Sequence, residues 1–383
     1  MLEILQEISI DKMYKVPIID LYSQHKSIKD EIDLLFNDVI KNSLFIRGKY
    51  VEKFEDDFAK LTKNKFCLSC GNGTDSLYIA LKSLDVGPGD EVIVPAHSWI
   101  STSEVVTQCG ANVVFCDIND FDSTIDVLKI EALITNNTVG IIPVHLYGHP
   151  ADMDGVMSIA NKNNLWVVED CAQSHLAEYK NKLVGSFGSF GSFSFYPGKN
   201  MGAMGDAGAL VTNDHYLYRK STMIARHGGL KKGEHKIEGI NSRMDGFQAG
   251  VLSIKSKYLK EWNNKRYNHS LKYTNNLLHL NNLLTVPNSS SNVKHAWHMY
   301  IIKSNFRDEL SDWLNKNSIQ TSINYPKSLP FLDAYKRLNH KHSDFPVALK
   351  HQKSILSLPL YPELNNNQIL NLINKIEEFF QNL

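Results

Sequence analysis

The sequence carries no excess of charge of either sign. Lys and Arg total 41 of the 383 residues and Asp and Glu also total 41, so the formal net charge is zero. A nucleic-acid binder carries a basic excess or a basic stripe, and its lack here argues against nucleic acid as a partner. Long apolar runs are missing as well. None approaches the roughly 18 residues of a membrane helix, so no membrane partner is expected. Cysteine is sparse and odd in number, at five, which argues against a disulfide framework. The opening MLEILQEISIDKMYK mixes Leu and Ile with Glu3, Glu7 and Asp11. It lacks the basic start and continuous apolar centre of a signal peptide. Hydrophobic residues at 43 % and charged residues at 21 % exclude a disordered chain. The expectation is a cytoplasmic globular protein with a small-molecule ligand, built as two domains or as one large domain carrying a smaller one.

What is present alternates. The run from Ile32 to Ile40 has a helical period. After it, β-branched runs at 91–95 (EVIVP), 112–115 (NVVF), 139–144 (VGIIPV) and 165–170 (LWVVED) read as buried strands. Helix-like stretches at 74–85 and 155–164 lie between several of them. This alternation predicts an α/β architecture with a mostly parallel sheet, to which strands near 192–196 and 208–212 belong. From Phe247 the texture changes to a long helical pattern, a polar break at PNSSSN, a strand-like HMYIIK at 298–303 and helices near 307–317 and 366–380. The predicted partition is a large domain over 1–246 and a smaller C-terminal α+β domain over 247–383.

Three features stand where strands of a parallel sheet end, the place where such sheets bind ligands. CGNGTDS at 70–76 opens a helix with Gly71 and Gly73, hydroxyls from Thr74 and Ser76, and free helix N–H groups. That is a recipe for a phosphate site, although Gly-rich strand–helix turns are common. It is not a dinucleotide fingerprint, because position 76 is Ser. LWVVEDCAQS ends a strand in Glu169-Asp170, which would either pair with a cation or cap the next helix. Lys199 lies on a Gly- and Ser-rich loop fenced by aromatics, where desolvation would free its amine to form a Schiff base. Phosphate cradle, acid and lysine, in that order, are what a pyridoxal-phosphate enzyme requires.

With GNGTDSLYIAL, PAHSWIST, VHLYGHPADMD, VVEDCAQS, SFSFYPGKNMGAMGDAGALVTND, GINSRMDGFQAGVL and LSLPLYPEL, the chain resembles the DegT/DnrJ/EryC1/StrS family of sugar-nucleotide aminotransferases. The resemblance spans roughly Val16 to Phe380. It implies the fold type I of pyridoxal-phosphate transferases, with a mixed, mostly parallel sheet flanked by helices and a small C-terminal domain. It further implies that Lys199 forms the Schiff base and shuttles the proton, and that Asp170 pairs with the pyridinium nitrogen. Trp99 would stack on the ring and Gln173 would bond the phenolic oxygen. Gly73, Thr74, Asp75 and Ser194 would hold the phosphate, and Asn241 would reach it from a second subunit, so that a homodimer shares its active sites. Glutamate would donate the amine and leave as 2-oxoglutarate, and a nucleotide-linked ketosugar would accept it. FYPGKN followed by MGAMGDAGA resembles the branch acting at sugar C3, commonly on dTDP-linked 3-keto-6-deoxyhexoses. Relatives often carry His where Asn324 and Pro330 stand, so in that segment only Tyr325 is carried over, as a substrate contact.

Other readings remain open at this level. Action at C4, or on a UDP-linked sugar, fits the same motifs. So does a non-catalytic regulator that keeps the fold, whereas an oxidoreductase is disfavoured by the incomplete glycine fingerprint. Cys67 and Cys70 lack the second ligand pair of a zinc site and are expected to be packed thiols. His295, His298, His340 and His342 lack a supporting carboxylate and are expected to be surface or core residues. Arg226 and the lysines at 220, 231, 232 and 236 form either a solvated loop or the contact to a nucleotide diphosphate. Arg243 would meet donor or acceptor across the dimer interface.

Overall fold

The β-branched runs become the strands of one central sheet in a computed structural model that describes residues 15–383. The opening segment read above for a signal peptide lies, but for Lys15, outside the described residues. The strands are β1 (Phe66–Cys70), β2 (Glu91–Pro95), β3 (Asn112–Cys116), β4 (Thr138–Ile141), β5 (Trp166–Asp170), a short hairpin of β6 (Glu178–Tyr179) and β7 (Lys182–Leu183), β8 (Phe190–Ser194) and β9 (Gly208–Thr212). Seven of them form the sheet in the order β1-β9-β8-β5-β4-β2-β3. Pairing is parallel from β8 through β5, β4 and β2 to β3. Only β9 is reversed, antiparallel to both β1 and β8. This is the mostly parallel mixed sheet expected from the alternation.

Both faces of the sheet are covered, which is why its strands read as continuous apolar runs. In β2, Val92 and Val94 pack with Leu77, Leu81, Val105 and Val106 from the helices Gly73–Ser83 and Ser101–Gln108. Ile93, between them, faces the opposite layer, with Val156 and Ala160 of the helix Met153–Lys162. The C-terminal unit has its own core. There β10 (Leu284–Thr285), β12 (Tyr300–Ser304) and β13 (Ile355–Leu358) form an antiparallel sheet. Helices Leu259–Leu277, Arg307–Lys316 and Asn366–Gln381 pack on it through Tyr273, Leu310, Leu314, Leu372, Ile373 and Ile376.

Three differences from the sequence reading have physical causes. The single helical pattern after Phe247 is two helices, Gly246–Ser256 and Leu259–Leu277. The first is buried from Ala249 through Lys255, against the helices Lys49–Leu61 and Lys29–Lys41. The second buries one stripe against the C-terminal core, so the axis breaks between them. The strand expected from His298 begins two residues later, because Ala296 and His298 donate their N–H groups to Gly148 and Tyr147 instead. At the other end of the chain, Val16 pairs with Ile319 and joins the C-terminal core, while β11 (Val293–Lys294) pairs with β6. We propose that the boundary lies after the 246–256 helix, about ten residues later than the expected 246/247, because that helix packs with the sheet unit, and that the C-terminal unit recruits the chain near Val16.

Candidate active site

A cavity of about 820 Å³ opens where β1, β5 and β8 end, and the C-terminal unit supplies its far wall. Its lining contains Gly73, Thr74, Asp75, Trp99, Asp170, Gln173, Ser194, Lys199 and Tyr325, so nine of the residues singled out in the sequence share one space. A second cavity of about 870 Å³ lies on the other side of Met299, which lines both, and holds none of these nine.

The floor is the turn after β1. Asn72 caps the helix Gly73–Ser83, its side-chain oxygen accepting the Asp75 N–H at 2.8 Å. The first N–H groups of the helix therefore face outward, where the helix dipole favours an anion. The turn lies hard against β8: a Cβ on Gly73 would fall 2.6 Å from Ser194 Cβ, so only glycine lets the helix start this close to that serine. Thr74 and Ser101 join hydroxyl to hydroxyl at 2.7 Å. Asp75 accepts from Ser242 at 2.6 Å. Ser76, read as a possible hydroxyl for the site, instead turns inward to the Gly73 carbonyl at 2.8 Å and to Ser192.

β5 carries the acid. Successive side chains on a strand face opposite ways, and Glu169 and Asp170 divide accordingly. Glu169, fully buried, accepts the N–H groups of Gly185, Phe187 and Gly188 at 2.7, 2.7 and 3.0 Å. Ala151 N–H donates to His145 Nδ1, so the ring proton sits on Nε2 and donates to Glu169 at 3.2 Å. Asp170 faces the cavity. Its oxygens accept from Thr102 at 2.8 Å and from Ala172 N–H at 3.1 Å. Burial raises its pKa, while those two bonds and the charge of Lys199 pull it back. Lys199 stands on the loop after β8, in a turn closed by its own N–H to the Tyr196 carbonyl at 2.8 Å. Burial pushes its amine down to about 8, against the attraction of Asp170. A lysine poised near neutral pH is a nucleophile.

The walls complete the arrangement. Trp99 is 59 % exposed at the mouth, its ring 5.5 Å from that of Tyr325. Gln173 accepts the Tyr147 N–H at 2.6 Å and donates to the Tyr325 hydroxyl at 3.0 Å. Asn324, one of the two positions where relatives often carry His, lines the cavity with its amide oxygen accepting from Ser322 and Ser357 at 2.9 and 2.8 Å. Pro330, the other, is buried outside the cavity.

Asn241, Arg226 and Arg243 are not brought to this cavity. Arg226 and Asn241 form a β-bridge with each other, and Asn241 and Arg243 are exposed. All five cysteines are free and buried, as expected of packed thiols.

Several cavity residues are not legible in the sequence, His298 and Arg266 among them. His298 reads there only as a metal ligand or a bland histidine, yet it lines the cavity. Asn200 spends its amide protons on Asn263 and the Ala296 carbonyl, so its oxygen accepts from His298 Nδ1 at 3.0 Å. Arg266, 2 % exposed, donates to the carbonyls of Leu360, His298 and Trp297. It lies in a polar helix that gives no sequence sign of burying an arginine.

These residues fit pyridoxal phosphate. The glycine cradle at the helix start suits its phosphate, the ionisable Asp170 suits its ring nitrogen, and the desolvated Lys199 amine suits its aldehyde.

Comparison with known proteins agrees. The model of the DegT/DnrJ/EryC1/StrS aminotransferase family matches residues 26–377. A pleiotropic regulatory protein of Geobacillus stearothermophilus is 40 % identical over 96 % of this chain and 99 % of its own length. A UDP-N-acetyl-3-dehydro-alpha-D-glucosamine 3-aminotransferase of Acidithiobacillus ferrooxidans is 38 % identical over 94 % and 97 %. A dTDP-3-amino-3,4,6-trideoxy-alpha-D-glucose transaminase of Streptomyces venezuelae is 35 % identical over 95 % and 96 %. Among solved structures, DesV of S. venezuelae superposes with a TM-score of 0.93 at 36 % identity, covering 95 % of this chain and 98 % of that one. The chain belongs to the DegT/DnrJ/EryC1/StrS family of pyridoxal-phosphate-dependent sugar aminotransferases.

Proposed function

We propose that this aminotransferase takes its amino group from glutamate, releasing 2-oxoglutarate, and delivers it to C3 of a dTDP-linked 3-keto-6-deoxyhexose. The product would be a dTDP-3-amino-3,6-dideoxyhexose for cell-surface polysaccharide or glycan assembly. The observation that carries the reading is the convergence of Lys199, Asp170 and the glycine cradle on one cavity of about 820 Å³. The choice of C3 rests on FYPGKN and on relatives named for 3-amino sugars. The choice of dTDP rests on one branch of those relatives, and a UDP-linked ketosugar is the second reading, favoured by the A. ferrooxidans relative.

When bound, pyridoxal phosphate supplies an aldehyde that bonds amines and a ring that takes up an electron pair. The protein residues do the rest. The N–H groups at the start of the 73–83 helix, with Thr74, Asp75 and Ser194, bind the phosphate. Asp170 holds a proton on the ring nitrogen by presenting a negative charge to it. Trp99 would pack on the ring face and Gln173 would orient the phenolic oxygen. Lys199 Nζ would remove the proton from the substrate carbon that bears the nitrogen and hand it to the carbon on the other side of that nitrogen, a role typically worth about 10²- to 10⁴-fold. Tyr325 and its neighbours at the cavity wall contact the sugar.

A second copy completes the site in this reading. Phe36, Ile40, Phe45 and Ile46 are exposed. They adjoin Phe247 and the Asp245 bridge, next to Arg243 and Asn241. A homodimer formed over this patch would carry Asn241 toward the partner's phosphate, and Arg226 or Arg243 toward its anionic substrate. The five free thiols support a cytoplasmic setting.

The test is mass spectrometry of products from a panel of dTDP- and UDP-linked 3- and 4-ketosugars with glutamate as donor, run beside Lys199→Ala. A 3-amino dTDP-sugar made only by the unaltered protein is expected. Product from the variant would overturn the assignment of Lys199. Binding of the cofactor without turnover on any sugar would favour the regulator reading.

A further inference from the structure

The segment Ser98–Thr102 runs from the phosphate turn to the buried acid. Ser101 bonds Thr74 in the turn at 2.7 Å, Trp99 stands at the cavity mouth, and Thr102 donates to Asp170 Oδ2 at 2.8 Å. Thr102 is fully buried. Its hydroxyl has a single proton, which goes to the carboxylate, because an ionised carboxylate can only accept. The contact between Ser98 Oγ and Thr102 Oγ1, at 3.0 Å, must then run from serine to threonine. The result is a directed relay, Ser98 to Thr102 to Asp170, that ends on one carboxylate oxygen. The other oxygen is held by the Ala172 N–H at 3.1 Å. Together they fix the plane of the carboxylate, which lines the cavity.

We propose that Thr102 is a positioning residue for the reaction: its hydroxyl, oriented by Ser98, fixes Asp170 as an anion aimed at the cofactor's ring nitrogen. The proposal rests on the reading of Asp170 as the ring-nitrogen partner. A hydrogen bond to an ionised group is among the stronger ones in proteins, and here it acts against burial. Burial raises the Asp170 pKa, and the bonds from Ala172 and Thr102 are the first influences that oppose it. The other groups facing Asp170 are the buried Cys171 thiol beside it on the chain, Lys199 from the loop after β8, His145 from the segment after β4, and the Tyr325 phenol from the C-terminal unit. Of these, the charge of Lys199 favours the anion, and Lys199 loses that charge once its nitrogen is bonded in a neutral form. Thr102 supplies a bond that does not depend on the state of Lys199.

The sign follows directly. Without the hydroxyl, the Asp170 carboxylate is less stabilised, its pKa climbs, and it becomes neutral at a higher pH. The test uses the cofactor-loaded full chain and reads the visible absorbance of the Lys199-bound cofactor against pH, together with cofactor affinity by dialysis. Thr102→Val keeps the shape and removes the hydroxyl. It is expected to move the acid limb of the absorbance up by about one pH unit and to weaken cofactor binding about tenfold. Thr102→Ser restores the hydroxyl and should return both readings to within about twofold of the unaltered protein. Ser98→Ala cuts the relay one link earlier and should move the limb in the same direction by less, which keeps the test open if the valine variant folds poorly. An unmoved limb in Thr102→Val and Ser98→Ala overturns the proposal, as does a serine variant as impaired as the valine one. If the unaltered protein has no Lys199-dependent visible band, it is the cofactor-site reading that fails, whatever the variants do.

Discussion

Gln173 and Tyr325 join the two units of the molecule across the active-site cavity, amide nitrogen to phenolic oxygen at 3.0 Å. The Tyr147 N–H fixes the opposite end of the amide at 2.6 Å, so Gln173 has no second orientation in which to satisfy itself. Tyr325→Phe leaves the amide nitrogen short of an acceptor in a buried place. A loss of about 1 kcal/mol in stability is expected, read as a lower urea midpoint at unchanged slope. An unchanged midpoint would mean that the bond contributes nothing net.

The adjacent carboxylates of β5 should respond in opposite ways. Glu169→Gln places an amide nitrogen where three N–H groups and an imidazole N–H converge, and at least one buried donor then meets another donor. The fold should lose about 2 kcal/mol or more. Asp170→Asn removes a charge whose burial is unfavourable, so the apoprotein should keep its stability while cofactor affinity and turnover collapse. Thermal unfolding of the two apoproteins, set beside their cofactor binding, separates the roles. Equal destabilisation would contradict the division of the two side chains between scaffold and site.

Loading of the cofactor should depend on pH through Lys199. Only the neutral amine attacks an aldehyde, and burial pushes this amine down to about 8. Roughly a quarter of it is neutral at pH 7.5, against about a thousandth for an ordinary lysine. The rate at which apoprotein gains visible absorbance should rise about tenfold per unit below pH 8 and level off above it. A rate still climbing at pH 10 would show that the cavity does not depress the amine.

Gly73→Ala tests the cradle. The added Cβ would lie 2.6 Å from Ser194 Cβ and 3.1 Å from its Cα, so the helix start must move away from β8. Alanine favours a helix more than glycine does, so stability need not fall much. Affinity for the cofactor should drop at least tenfold in equilibrium dialysis. Retained affinity would mean that the phosphate is held elsewhere.

The sequence is most legible where burial is complete. EVIVP and GALVT coincide with β2 and β9 to the residue, because a strand covered on both faces has no reason to carry a polar residue inside it. NNQILNLINKIEEFF matches its helix to within one residue, since one apolar stripe meets one core. The reversal of β9 could not be read in this way: its burial pattern is the same in either direction. The break after Ser256 was also hidden, because both helices keep a helical period and only their partners differ.

By itself the sequence determined the chemistry on offer: a glycine turn opening a helix, an acid at a strand end, and a lysine on a glycine-rich loop, in an order that only a few cofactors require. Those are local properties of residue type and spacing, and the chain carries them before it folds. The tertiary structure decided which groups are free to act. It sent Glu169 into the scaffold and Asp170 into the cavity, turned Ser76 inward, and brought Thr102, His298 and Arg266 to a wall they do not announce. It also depressed the Lys199 amine, since desolvation and the direction of a hydrogen bond depend on what packs alongside. That neighbour is often more than a hundred residues away in the chain.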